Sequence, residues 1–335
     1  MIAQATGIVQ ATGGTAVIIP FFQRKPGLLA AAIRSALAQE SARPATVIVC
    51  DDASPSPAEL DLDMLTPAEQ GNVLLIRQAN GGCGMARNAA LDVMPGNIEW
   101  IAFLDSDDRW KPAHLVRAIT ALQEGFDFFF ADVIRDPEPR THFATACFEP
   151  RKHERISALP DLYRFVGDFL TQNLTMSPVS ISSVVIRAST LGDLRFKSVI
   201  YEDLMCWFEV ARRRARVAFD GTLQVYYGGG EMARPDNWKS QHELENRLSA
   251  HKVFMHVLRS FTLAPQQRMI LERRIADNRR KFSLSTLGLV HSGRMPSWPM
   301  VCGFLKLDPY AAGSLVGTTI TDSARRLPFR RRKPR

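Results

Sequence analysis

The sequence predicts an α/β protein in which a sheet is wound through βα units and followed by a helical extension. Three observations carry that expectation. Short apolar runs alternate with helical patterns through the first 135 residues. The apolar runs are nearly unbroken by polar residues, as in strands covered on both faces. Prolines stand at the openings of two helical stretches, Pro26 and Pro112, where a missing N–H costs nothing.

The elements follow in order. Strands are expected at 17–20, 47–50, 73–76, 98–104 and 126–133. The helix after Pro26 puts Leu29, Ile33, Ala36 and Leu37 on one face, and the helix after Pro112 does the same with Leu115, Ile119 and Leu122. Beyond residue 135 the pattern is less regular. A helix is expected near 160–171, a strand near 181–186, a helix over 203–214 and a short strand pair ending in Gly228, Gly229 and Gly230. Two long helices, about 237–261 and 265–287, close the chain. No internal repeat or linker interrupts it, so the expectation is one continuous domain over 1–230, in halves 1–135 and 136–230, with a helical extension over 231–335.

Charge placement narrows the partners. The chain has 335 residues and a net charge of +8, from 42 basic and 34 acidic residues. Residues 324–335 hold seven of the basic residues and no acid, so the rest of the chain is near neutral. A nucleic-acid-binding body is therefore not expected, whereas the tail suits an anionic membrane surface. Five cysteines, Cys50, Cys83, Cys147, Cys206 and Cys302, are widely spaced and show neither a zinc pattern nor a disulfide framework. The uncharged first 23 residues are broken by Gln4, Thr12, Gly13, Gly14 and Pro20, which argues against a signal peptide or a spanning helix. The expected location is cytoplasmic, peripheral at the inner face of the plasma membrane.

In open α/β sheets ligands collect beyond the carboxyl ends of the strands. Three such ends are acidic or glycine-rich here: Asp51 and Asp52; Asn80, Gly81 and Gly82, with Arg87 one turn into a helix; and Asp105, Ser106, Asp107 and Asp108. The D-x-D of Asp105 and Asp107 suits Mg2+ or Mn2+, which take oxygen ligands and fill their shells with phosphate and water. A second D-x-D, Asp61 and Asp63, follows no strand and reads as solvated charge. Asp51 and Asp52 read either as a turn or as acceptors for a base N–H or a ribose hydroxyl. The glycine loop reads as a turn, or as a close approach to a ligand with Arg87 neutralising a diphosphate.

Taken together, VIIPFFQRKPGLLAAAIRSALAQ, VIVCDDASP, ANGGCGMARNAAL and FLDSDDRWKP resemble the family 2 glycosyltransferases of the glycosyltransferase A fold. The segment FFQRKPG is similar to glucosyltransferases of bacterial exopolysaccharide assembly of the succinoglycan type. YEDL at 201–204 extends the likeness to about residue 228. The resemblance implies a Rossmann-like mixed sheet flanked by helices, with 1–135 binding the nucleotide and 136–230 the acceptor. It implies that Pro20 and Phe22 lie beside the base, Asp52 contacts uracil, Asp105 approaches the ribose and Asp107 is the metal ligand. It also implies that Asp203 is the catalytic base and Glu202 an acceptor contact. The expected reaction moves glucose from a UDP-sugar to a saccharide or polyprenyl-diphosphate-linked acceptor, with inversion and with Mn2+ or Mg2+.

For Asp203 and Glu202 a helix N-terminus offers an alternative, since acids there complement the macrodipole. Trp110, Trp207 and Trp238 are candidates for sugar stacking or for the core. Cys83 is expected to be a small packing residue and His114 to lie at the surface. Two other functions compete: a phosphatase of the haloacid dehalogenase type using Asp105 and Asp107, and a non-enzymatic scaffold docking on membranes through residues 295–335.

Overall fold

Alternation along β1 (Gly14–Phe21) sets the architecture. Val17, Ile19 and Phe21 join one apolar core and Ala16 and Ile18 the other, because successive side chains point to opposite faces. The same split divides Val47 and Val49 from Ile48 and Cys50 in β2 (Thr46–Asp51). The computed structural model describes residues 14–40, 45–135, 140–156, 158–197, 201–228, 240–315 and 317. By contacts the chain divides into two units, Met1–Arg234 and Pro235–Arg335.

In the first unit β1 and β2 are joined by β3 (Val73–Arg77), β4 (Ile98–Phe103), β5 (Arg109–Trp110), β6 (Phe128–Arg135), β7 (Glu154–Arg155), β8 (Leu162–Arg164), β9 (Val185–Arg187) and β10 (Val217–Tyr227). They form a mixed sheet in the order β3-β2-β1-β4-β9-β6-β10-β8-β7, with β5 paired to β10. The pairs of β1 with β2 and β4, of β2 with β3 and of β6 with β10 are parallel; β9 runs antiparallel between β4 and β6. One rim therefore gathers the carboxyl ends of β1, β2, β3, β4, β6 and β10. Helices α1 (Leu28–Leu37) and α3 (His114–Gln123) bury their apolar residues in one core, and α2 (Cys83–Asp92) and α5 (Glu202–Arg212) in the other. A shorter helix, α4 (Phe169–Thr175), packs against α5.

Several local expectations are corrected. Residues 162–164 form strand β8 rather than helix, because pairing with β10 overrides local propensity; α4 starts only after Asp168, whose carboxylate accepts from the Leu170 N–H at 3.0 Å. The segment expected as a strand near 181–186 opens as a 3-10 turn, Ile181–Ser183, before β9. In place of a strand pair there is one strand, β10, whose register shifts around Asp220–Val225. Asp61 is buried rather than solvated: its carboxylate accepts from the Gly27 and Ala30 N–H groups at 2.8 and 2.9 Å, satisfying the free amides at the start of α1.

His114 lies in the core between Trp110 and Phe129, and burial pushes its imidazole down to about 3. Trp110 and Trp207 are also core residues; the Trp110 indole N–H donates to the Ser182 carbonyl at 2.6 Å. Trp238, Gly229, Gly230, the first 13 residues and the basic tail lie outside the described residues.

The second unit is helical: α6 (Gln241–Ser260), α7 (Pro265–His291) and α8 (Trp298–Leu307), the last of which has no counterpart in the sequence reading. Leu244, Phe282, Leu289, Val301 and Phe304 form its core. Buried beside them, Asp308 accepts from His251 at 2.8 Å and is ion-paired with Arg279. Among the described residues no helix is long and apolar enough to cross a membrane.

Candidate active site

The glycine loop after β3 is tied to the end of β2. Asp52 is buried, and its carboxylate accepts from the Gln78 side-chain amide at 2.7 Å and from the Gly81 and Gly82 N–H groups at 2.7 and 2.8 Å. Charge-assisted bonds of this kind are the strong ones, so Asp52 fixes the entry to α2. Asp51, its neighbour, accepts from the Ser54 and Ala58 N–H groups and closes the turn after β2. Both readings of this pair were open in the sequence; in the structure three of the acceptor positions of Asp52 serve the loop. Pro20 is buried at the end of β1, beside Cys50 of β2, and Phe22 follows half-buried. Asn80 is exposed on the loop.

Arg87, one turn into α2, is buried with 3% of its side chain exposed. Its guanidinium forks between Asp105 at 2.6 Å and Glu202 at 2.7 Å. Burial opposes its charge, and the two carboxylates overcome that opposition, so its pKa lies above the ordinary arginine value. Its charge is directed at two carboxylates from distant parts of the chain, while Arg87 also lines the cavity in which the sequence expects it to meet a diphosphate. A close approach makes the bridge possible. A Cβ on Gly84 would stand 2.9 Å from the Glu202 side chain and from the Lys197 carbonyl, so only glycine lets α2 meet the start of α5 without displacement.

At the end of β4, Asp105 is partly exposed, while Ser106 is buried and accepts from the Gln23 side chain at 3.1 Å. Asp107 is half-buried. Asp108 is fully buried and accepts from the Gly228 N–H at 2.8 Å; burial, then the neighbouring Asp105 and Asp107, hold its pKa well above the usual carboxylate range. A Cβ at Gly228 would fall 1.8 Å from the Asp107 carbonyl oxygen. Gly228→Ala is accordingly expected to destabilise the first unit by about 1–3 kcal/mol, the usual cost of forced overpacking. Gly96→Ala, where an added Cβ meets nothing within 4 Å, is the control; equal denaturation midpoints for the two variants would refute the close-contact argument.

Glu202 and Asp203 open α5, after Tyr201 in a left-handed conformation with φ 69°. Burial, then the adjacent Glu202, raises the Asp203 carboxyl to about 6, while Arg87 and the Leu204 N–H pull the other way. A cavity of about 540 Å3 brings together Cys83, Arg87, Asp105, Glu202 and Asp203. Pro20, Phe22, Asp52, Asn80, Gly81, Ser106 and Asp107 are not among its lining residues; they stand on strand ends or loops of the same rim. Cys83 opens α2 as an exposed residue lining this cavity, not as the small packing residue expected from the sequence.

The cavity also includes Arg135, Arg140, His142 and Tyr227, which no motif marks. Arg135 and Tyr227 end β6 and β10, so the strand-end rule reaches them once the strands are placed. Arg140 and His142 precede and open a short turn of helix, His142–Thr145, and carry no sequence signal.

Comparison with known proteins gives a consistent family. Residues 16–178 match the family described as "Glycosyl transferase family 2". The chain is 30% identical over 210 residues, 62% of its length, to "Succinoglycan biosynthesis protein ExoW" of Rhizobium meliloti (strain 1021), and spans 59% of that relative, less than two thirds of it. In fold it is similar to S. aureus TarS 1-349, with TM-score 0.61 and 17% identity, covering 93% of this chain and 91% of that one. It is also similar to the mannosyltransferase PcManGT from Pyrobaculum calidifontis, solved in complex with GDP-Man and Mn2+, with TM-score 0.55 and 14% identity, covering 96% and 91%.

Proposed function

We propose that this chain, which belongs to the family 2 glycosyltransferases, is an inverting, metal-dependent enzyme that moves glucose from a UDP-sugar to a saccharide acceptor. The observation that carries the proposal is the convergence of Asp105, Arg87, Glu202 and Asp203 in one cavity at the rim of the sheet. TarS has also been solved in complex with UDP-GlcNAc, which supports a uridine nucleotide. The succinoglycan relative supports an exopolysaccharide repeat unit, carried on a polyprenyl diphosphate, as the acceptor. The basic tail, 324–335, would bring the enzyme to the anionic membrane that holds such an acceptor.

In this reading Asp203 accepts the proton of the attacking hydroxyl while that oxygen bonds to the anomeric carbon. The bond from that carbon to UDP breaks, the electron pair leaves with the diphosphate, and a single displacement inverts the centre. A carboxyl at about 6 suits the task, being mostly ionised at pH 7 yet basic enough to take a proton. Arg87 holds Asp105 and Glu202 in place around the reacting groups. Asp52 holds the glycine loop that, with Pro20, Phe22 and Asn80, borders the base; Ser106 and Asp105 border the ribose.

For the metal, the donor set fits a hard divalent cation. Asp107 would hold it, with Asp105 adjacent, and the diphosphate and water would supply the remaining oxygens. Among the described residues no group of three or more His, Cys, Asp or Glu is arranged for a metal. When bound, the cation would offset the charge developing on the leaving diphosphate. The phosphatase alternative requires Asp105 as an attacking nucleophile, but its carboxylate is held by Arg87 at 2.6 Å.

A thermal-shift panel tests the proposal. UDP with Mn2+ should raise the unfolding temperature, since a ligand at about 100 times its Kd stabilises by about 2.7 kcal/mol, and GDP should do so less. The Asp107→Asn protein should lose the metal-dependent part of that rise. An equal shift in EDTA, or in the variant, would remove the metal from the proposal; a larger shift with GDP would remove the uridine.

A further inference from the structure

The cavity lining carries groups of both charges, and only one set is explained by the chemistry above. Asp105, Glu202 and Asp203 are the acidic set, with Arg87 bridging two of them. Arg135, Arg140 and His142 line the same cavity. The Arg135 guanidinium lies 4.5 Å over the Tyr227 ring at the strand ends. Arg140 and His142 belong to the connection between β6 and β7, within the acceptor half. Among the described residues the His142 Nε2 is buried and has no hydrogen-bond partner; burial pushes the imidazole down, so a neutral ring offers one hydrogen-bonding position there and Arg140 carries the positive charge.

Neutral sugars are usually held by amide, hydroxyl and aromatic side chains. Here the cavity offers the hydroxyls of Thr145 and Ser180 and the ring of Tyr227 but, among the described residues, no Asn, Gln or Trp, and it adds the cationic side chains Arg135 and Arg140. A guanidinium presents a planar fork of donors suited to carboxylate or phosphate. We infer that the acceptor carries an anionic group, a carboxylate or a phosphate, on or next to the sugar that is extended, and that Arg140 and His142 bind it. The inference rests on the glycosyltransferase reading and names the class of its second substrate.

Calorimetry on the full chain tests it with the donor site filled. D-glucuronate and D-glucose 6-phosphate are titrated into protein saturated with UDP and Mn2+, with D-glucose as the uncharged control. At least one charged sugar should bind about 10-fold or more tightly than glucose, the size of a charge-assisted contact. Which one prevails tells a carboxylate from a phosphate. Arg140→Gln should erase that preference and leave UDP affinity within about 2-fold. Charged sugars that bind only without UDP would assign Arg140 and His142 to the donor diphosphate and overturn the inference, as would equal binding of glucose. Failure of UDP itself to bind would instead overturn the glycosyltransferase reading.

Discussion

Asp203→Asn is expected to lower kcat by about 10²- to 10⁴-fold, the usual worth of a positioned general base, with UDP affinity retained. Stability separates this from a folding defect. The Asp203 carboxyl is raised to about 6 in the folded chain, by burial first and by Glu202 second. A raised carboxyl favours the protonated form on folding, so its contribution to stability is present at low pH and is lost as pH rises through about 6. At pH 7 to 8 the ionised side chain therefore costs stability, and the uncharged amide removes that cost. The variant should unfold at or above the wild-type temperature while failing to turn over. The wild-type rate should fall as pH drops through about 6, as Asp203 is protonated. Near-normal turnover in the variant, or a flat rate between pH 5 and 7, would remove Asp203 from the role of base.

Arg87→Ala is expected to have the largest effect on folding. Its guanidinium is the shared partner of Asp105 and Glu202, and with 3% of its side chain exposed the three groups are poorly hydrated. Removing one partner of a buried ion pair costs about 3–5 kcal/mol, because the remaining charges stay behind unpaired; the residual exposure of the two carboxylates favours the lower end. Arg87→Lys should recover only part of the loss, since a single ammonium cannot span two carboxylates as a planar fork does. The replacement also acts on Asp203, whose carboxyl Arg87 helps keep ionised. In any folded Arg87 variant lacking the charge the acidic limb of the rate profile should move to higher pH, whereas in Arg87→Lys, which keeps a charge, it should stay in place. Urea denaturation of the variants, with m unchanged, measures the first effect; a loss below about 1 kcal/mol would show that the bridge is dispensable.

The strands of residues 1–135 were legible because each is a short apolar run with a turn signal after it. Val47–Cys50 and Val73–Ile76 are such runs, and both fall inside observed strands. Their carboxyl ends had to carry the polar residues of the rim, so Asp52, Asp105 and Asp107 could be located by position alone. Residues 136–230 were not legible in that way. Residues 162–164 became a strand because β10 offered an edge, and His114 went into the core because Trp110 and Phe129 enclosed it. Asp61 illustrates the same limit: its cap on α1 joins positions 34 and 31 residues apart, and no local window contains both.

What the sequence determined by itself was the order of βα units, the family and the acidic strand ends, since these follow from local periodicity and from turn chemistry. Only the tertiary structure decided what each charge faces. Arg87 meets Glu202 across 115 residues of sequence, and Arg140 and His142 line one cavity with Asp105, Glu202 and Asp203. Electrostatic energy depends on distance in space and on exclusion of water, and neither is encoded in the spacing of residues along the chain.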